Sequence, residues 1–386
     1  MNGTHKLIAM FCCRHPLNIL VASLALCAVP PLDEAQAQTD HPLNFAGDFR
    51  VRHERTTRQE PGATPDIRDP RNREVVRFRF GMNKKINGLF NFGARLATGS
   101  PDDPNTTDIT LGDFVNDLTI SLDRAFMELN YKNFFFTGGK FANPFRSTEL
   151  VWDGDVNPQG FGASYTLPGS SKIIPKFTGV YYIVDEQTNY ADSYMWGGQM
   201  QCVINPAPDL SLTLAGAYYD YTIKSLANAK TDDIQSNFMN SDRTAYLSDF
   251  DLIDGIAILD YRGFGEQHPL RLVGDFVKNN GANQGEEDTG FAIDLYFGKA
   301  AKKKDWRFQY GYALAENDAV LAAFSHDNTT LASNYEQHTL GIDYVIVENT
   351  VLNATLYHYR RHDIKSPISI ENDFFSRLRL NALVSF

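Results

Sequence analysis

Arginines recur two residues apart in this chain: Arg50 and Arg52, Arg77 and Arg79, Arg377 and Arg379, with Arg95 alone. Residues i and i+2 of an extended strand share a face, so each pair presents two guanidinium groups to one side. Arginine keeps its charge at any working pH, whereas crowded lysines shed protons. Grouped on one surface, these side chains would recognise anions by charge alone. Glu149, Asp153 and Asp155 offer a counterpart, following Lys140 and Arg146. An acidic segment facing an arginine wall sets up a transverse field across the space between them. A plainer alternative is that the arginines pair with acids such as Asp48 and Glu54 and stiffen a wall. The two readings are compatible.

The arginines sit on alternating segments. Phe49 and Val51 flank Arg50; Val76, Phe78 and Phe80 flank Arg77 and Arg79. Phe90, Phe92 and Ala94 precede Arg95, and Leu378 and Leu380 alternate with Arg377 and Arg379. Period-2 alternation gives each strand one apolar and one polar face. Sixteen such segments recur: 43–56, 73–85, 89–99, 118–131, 133–142, 158–167, 174–184, 193–205, 210–222, 249–262, 269–279, 288–298, 305–316, 335–347, 350–361 and 374–386. The phase slips near Asp123, which marks a bulge. It is ambiguous over 249–262.

Short and long connections alternate. Asn87-Gly88 suits a two-residue hairpin, and the links at 131–133, 205–209 and 348–349 are also short. Residues 57–72, 100–117, 143–157, 223–248, 317–334 and 362–373 are long. Short turns on one side and long loops on the other are the habit of transmembrane barrels, whose bacterial strand counts are even. The expectation is an all-β, transmembrane antiparallel β-barrel of about sixteen strands with a water-filled lumen. The four arginine strands become neighbours on closure, with their arginines on one wall at one level. A segment of alternating residues ending in Phe386 suits the strand that closes against the first, leaving no edge in lipid.

The bulk composition fits. The chain has 386 residues, 43% hydrophobic, with 27 Phe, 18 Tyr and 3 Trp. That aromatic content would supply interfacial girdles. No apolar run reaches the length of a membrane helix. Residues 1–37 read as a signal peptide: Lys6 and Arg14, an apolar run over 19–29, and Ala35-Gln36-Ala37 as a cleavage pattern. Residues 38–386 then form the barrel. Three of the four cysteines leave with the signal, and Cys202 falls on the apolar face of its strand, toward lipid. The formal charge of −11 offers no basic surplus for nucleic acid.

Catalytic signatures are missing: no G-x-S-x-G, no H-E-x-x-H, no phosphate loop. No serine with a supporting third residue can be placed beside His53, His338 or His358, so the chain is not read as an enzyme and no cofactor is expected. Asp153-Gly154-Asp155-Val156-Asn157 begins like a calcium loop, but Pro158 and Ser164 stand where a glycine and a bidentate glutamate are needed. The acids of 100–117 and Glu286, Glu287 and Asp288 read as solvated loop charge. Their bridging to lipopolysaccharide through divalent ions is a further hypothesis.

Three stretches carry a family likeness: the terminal strand Arg377–Phe386, the passage from Ala125 to Phe145 that contains FFFTGGKFANPF, and LVWDGDVNPQGFGASY from Leu150 to Tyr165. They resemble the putative porin family of Gram-negative outer membranes, over essentially the whole mature chain. The resemblance implies a passive diffusion channel, often trimeric, in contact with outer-membrane lipid and lipopolysaccharide. It also implies that the strand ending at Phe386 is read by the barrel-assembly machinery. The expected cargo is small hydrophilic solutes or ions, with a lean toward anions. A substrate-specific channel for an anionic solute is the runner-up. A non-conducting barrel acting as adhesin or anchor is the rival from another class.

Overall fold

In the computed structural model the described residues are 42–57, 70–112, 114–170, 172–229, 232–283, 287–362 and 374–386. The signal peptide read over 1–37, most of the loop residues 57–72 and 362–373, and Asp113 and Glu286 lie outside them. The barrel, Pro42–Phe386, is one unit.

Alternation sets the strands. β1 (Leu43–Thr56), β2 (Arg71–Lys85), β3 (Phe90–Thr98) and the two-residue β4 (Ile109–Thr110) open the chain. Then come β5 (Ile120–Tyr131), β6 (Phe134–Lys140), β7 (Gln159–Thr166), β8 (Ile173–Asp185), β9 (Ser193–Ala207) and β10 (Leu210–Thr222). The rest are β11 (Phe250–Tyr261), β12 (Leu270–Asn279), β13 (Thr289–Gly298), β14 (Trp306–Ala315), β15 (Tyr335–Val347), β16 (Thr350–Arg361) and β17 (Phe375–Ser385). Leaving out β4, each strand pairs antiparallel with its sequence neighbours, and β17 pairs with β1. Sixteen strands thus close without a free edge. β4 is a loop segment laid on Val75 and Val76 of β2.

The register slips between Arg95 and Leu96 opposite β5, and Asp123 is the extra residue, as the phase slip implied. The Asn87-Gly88 turn is longer than expected. Ile86 N–H donates to Phe90 O at 2.9 Å, enclosing Asn87–Leu89. Asn87 Oδ1 accepts from the N–H groups of Leu89 and Phe90 at 2.9 and 2.8 Å, which stabilises the extra residue.

The outward faces are apolar: Phe49, Val51, Met127, Leu214, Ile253, Phe276 and Leu380 are exposed. Cys202 shares this face with Met200 and pairs with outward Leu214. Near the rim of short turns, Phe45 stacks on Phe80 at 5.5 Å, and Phe80 on Phe386 at 6.5 Å. Gly47 exchanges two backbone hydrogen bonds with Phe386, at 2.9 and 3.0 Å.

The interior is not uniformly wet. On β8–β12 the inward face carries Val180, Tyr182, Met195, Tyr219, Tyr221, Phe250, Leu252 and Val277, all buried. They pack against two loops folded into the barrel. One connects β6 to β7 and contributes Phe145, Leu150, Val151 and Trp152. The other connects β14 to β15 and contributes Val320, Leu321 and Phe324. This explains the ambiguous phase of 249–262: Phe250, Leu252, Ile256 and Ile258 point inward while Ile253 points to lipid, so both faces of β11 are apolar.

Gly47 and Gly81 give a test of closure. A Cβ on Gly47 would come within 2.3 Å of the Arg79 carbonyl oxygen on β2 and 2.7 Å of the Phe386 ring on the closing side, whereas one on Gly81 would meet nothing nearer than 3.5 Å. Gly47→Leu is expected to cost about 1–3 kcal/mol as an overpacking change, and Gly81→Ala much less. The measurement is the temperature at which the folded band is lost in heat-modifiable gel mobility.

Candidate functional site

The arginine strands are adjacent in the order β17, β1, β2, β3, and the register fixes which residues meet. Arg50 lies opposite Arg77, Asp48 opposite Arg79, and Glu54 opposite both Arg73 and Arg379. All seven sequence-selected arginines point inward, but they fall into separate groups.

Arg50, Arg52, Arg77, Arg79 and Arg379 line one lumenal cavity of about 450 Å³. Arg95 and Arg377 do not line it, so the single level expected of all seven is corrected. Arg95 is drawn aside to Asp123, with its Nε 2.9 Å from Oδ2. The bulge places Asp123 there. Arg377 lies higher, donating to Thr56 Oγ1 at 3.4 Å and to the Asn328 carbonyl at 3.1 Å.

A guanidinium removed from bulk water requires compensating acceptors. Asp48 accepts from Arg77 Nε at 3.0 Å and from Arg79 Nε at 2.8 Å. Glu54, 2% exposed, accepts from Arg73 Nε at 2.6 Å and Arg379 Nε at 2.8 Å. Asp108 pairs with Arg50 and, at 2.6 Å, with Arg52 Nη1. Asp48 and Glu54 are thus the wall-stiffening partners that the plainer reading named. Asp108 is a correction: it belongs to the acidic stretch 100–117 read as solvated. Burial alone would raise its carboxyl, but Arg52 and then Arg50 outweigh that and hold it below the usual carboxylate range. Glu287, also read as solvated, is buried as well.

The acidic segment 143–157 crosses the lumen. Asp155 accepts from Arg79 Nη1 at 2.8 Å and from Thr107 Oγ1 at 2.9 Å. At its other end Thr148 hydrogen-bonds Asp275 on β12. Between them Trp152, 1% exposed, stacks on Phe324 with ring centroids 5.9 Å apart and an interplanar angle of 6°. Asp153 N–H donates to Phe324 O at 2.8 Å. Glu149, Asp153 and Asp155 all line the cavity, facing the arginines. Burial, then repulsion from Glu149 and Asp327, raises the Asp153 carboxyl well above the carboxylate range. Enclosure by the lumenal wall also raises Glu149, although its side chain still reaches lumenal water.

The β14–β15 loop was missed by sequence reasoning. It brings His326, Asp327 and Asn328 to the cavity. Asn328 Oδ1 accepts from Arg379 Nη1 at 2.9 Å and from the Tyr357 hydroxyl at 3.2 Å. The same loop is tied to its neighbour, with Asn237 Nδ2 donating to the carbonyls of Asn317 and Val320 at 2.8 Å each. One signal was available: Val320-Leu321-Ala322-Ala323-Phe324 is too apolar for a solvated loop. Asp294 and Tyr296 of β13 complete the far wall.

On the outer face, Ser376 Oγ lies 3.0 Å from His358 Nδ1, a serine–histidine contact with no third polar residue on the ring among the described residues. The His358 ring stacks on Phe374 at 4.4 Å. Among the described residues, no group of three or more His, Cys, Asp or Glu could hold a metal.

A closed sixteen-strand barrel with a polar, charged gap between inward loops and wall is the architecture of an outer-membrane channel. Residues 33–245 match the model of the putative porin family, more than half of the chain, and the protein belongs to that family. The fold is similar to OmpT, an outer membrane protein of Vibrio cholerae solved in its trimer form (12% identity, TM-score 0.52, covering 90% of this chain and 100% of that one). It is also similar to an anion-selective porin from Comamonas acidovorans (12% identity, TM-score 0.54, 90% and 100% covered). A third is the outer membrane channel DcaP of Acinetobacter baumannii (14% identity, TM-score 0.52, 91% and 100% covered). At these identities the likeness is one of fold. No curated protein matches the chain by sequence.

Trp152 gives the test of the inward packing. Trp152→Ala is expected to cost about 3–5 kcal/mol as a buried aromatic truncation. With its stack on Phe324 gone, the loop loosens. The melting temperature of the refolded protein should fall, and single-channel conductance and open-channel noise should rise.

Proposed function

We propose that this protein is a passive outer-membrane porin for small hydrophilic solutes and ions, with its selectivity set where the arginine wall faces the acidic loop. The observation that carries this reading is the cavity itself. Arg50, Arg52, Arg77, Arg79 and Arg379 lie on one side, and Glu149, Asp153 and Asp155 on the other. The aromatic packing closes the β8–β12 side, so solute follows the charged side.

The arginines outnumber the acids bound to them. Arg50, Arg52, Arg73, Arg77, Arg79, Arg377 and Arg379 share Asp48, Glu54, Asp108 and Asp155. This surplus favours anions along the wall, and the opposing acids keep the preference modest. The anion-selective porin from Comamonas acidovorans supports the same sign by analogy of fold. The short turns face the periplasm and the long loops the exterior. Residues 1–37 are a cleaved export signal, and the assembly is a homotrimer like the solved Vibrio cholerae relative. Lipopolysaccharide surrounds the outer rim, and the Phe386 strand is the handle for the barrel-assembly machinery.

A reversal potential across a salt gradient in a planar bilayer should have the sign of modest anion preference; clear cation preference overturns the reading. Arg77→Ala combined with Arg79→Ala should move that potential toward cations, and an unmoved potential would leave these arginines a purely structural role. The acidic face gives a pH dependence. Because the Glu149 carboxyl is raised, lowering the pH neutralises it before ordinary carboxylates titrate, at about pH 4. The acidic face then loses charge, so anion preference should rise as pH falls below neutrality. Glu149→Gln should abolish that early rise.

A further inference from the structure

Counted over both faces, the cavity's lining is close to balanced, although the arginine wall itself is cationic. Its five arginines are opposed by Asp108, Glu149, Asp153, Asp155, Asp294 and Asp327. One proton held by the crowded Glu149–Asp153 pair brings the two sums level. Positive charge lies on β1, β2 and β17. Most of the negative charge lies on the two inward loops and β13.

Three polar atoms around this cavity are buried without a hydrogen-bond partner: Arg50 Nε, His326 Nε2 and Gln337 Oε1. His326 and Gln337 are only 2% and 7% exposed. The state of His326 is defined by its surroundings. Its Nδ1 accepts from Asn328 N–H at 3.3 Å. Burial, then Arg379 and Arg377, lowers its pKa to about 3, so the ring is neutral and Nε2 carries the hydrogen. Gln337 spends its amide N–H on Thr339 Oγ1 at 3.2 Å, leaving its carbonyl oxygen. Two donors and one acceptor therefore wait unpaired, and buried polar groups without partners are costly.

We propose that this cavity is a saturable binding site for a small zwitterion, a solute carrying one carboxylate and one ammonium group. The inference rests on the channel reading above and adds the substrate class. The carboxylate meets the arginine wall, with Arg50 Nε and His326 Nε2 as added donors. The ammonium meets the acids of the inward loops, with Gln337 Oε1 as added acceptor. A simple anion gains the arginines but faces five acids across the gap, and a simple cation meets the converse. An electroneutral dipole of matching sense satisfies both walls without net charge burial.

The test uses the purified full-length protein in a planar bilayer with potassium chloride, L-serine as the zwitterion, and acetate, methylammonium and glucose as single-feature controls. Channel steps before any solute is added report the channel reading independently. L-serine should reduce the ion current saturably, and each control should act about tenfold more weakly, as expected when one charged partner is missing. His326→Phe and Gln337→Leu should each weaken the L-serine effect by about tenfold or less, the range for one hydrogen bond. A non-saturating response, or an equal or stronger block by acetate or glucose, overturns the proposal. If channel steps are absent, calorimetric titration of L-serine into the same protein in detergent decides it. Saturable heat favours the site, and its absence rejects it.

Discussion

A guanidinium group withdrawn from bulk water must be given carboxylates or carbonyls, and this requirement organises the interior of the barrel. Four adjacent strands, β17, β1, β2 and β3, point arginines inward. Asp48 and Glu54 supply part of the compensation from β1 itself. The remainder comes from connections that would otherwise extend into solvent. Asp108 is drawn from the β3–β5 connection, Asp155 from the β6–β7 loop and Asn328 from the β14–β15 loop. One charged wall thus anchors three loops. Aromatic packing of Trp152 and Phe324 then fills the opposite side.

The fold was legible because lipid imposes a strict code. Every strand needs an apolar outer face, and a two-residue period shows that face without knowledge of partners. The bulge at Asp123 was visible for the same reason. Legibility failed at β11, where the interior also became apolar and the alternation lost its contrast. It also failed in the loops. Nothing local distinguishes Asp108 from the other aspartates of its stretch, because its inward turn depends on Arg50 and Arg52, more than fifty residues earlier. The arginines themselves were found correctly as inward residues, since orientation is a local property. Their division into cavity-lining and loop-holding members was hidden, because it depends on cross-strand register and on a distant loop.

The same side chains serve as structure and as electrostatics. Arg379 holds Asn328, lies over the Tyr357 ring at 5.3 Å, and still borders the open cavity. Arg79 binds both Asp48 and Asp155, so it fixes the position of the acidic loop whose field it opposes. Pore charge and pore geometry are therefore coupled.

The packed sector against β8–β12 makes the bore eccentric. Strand number sets the circumference of this barrel, but the free cross-section is what two inward loops leave against one wall. Calibre and chemistry can then drift through loop sequence alone, while the lipid-facing staves stay as they are. Two relatives with the same girth need not share a gauge.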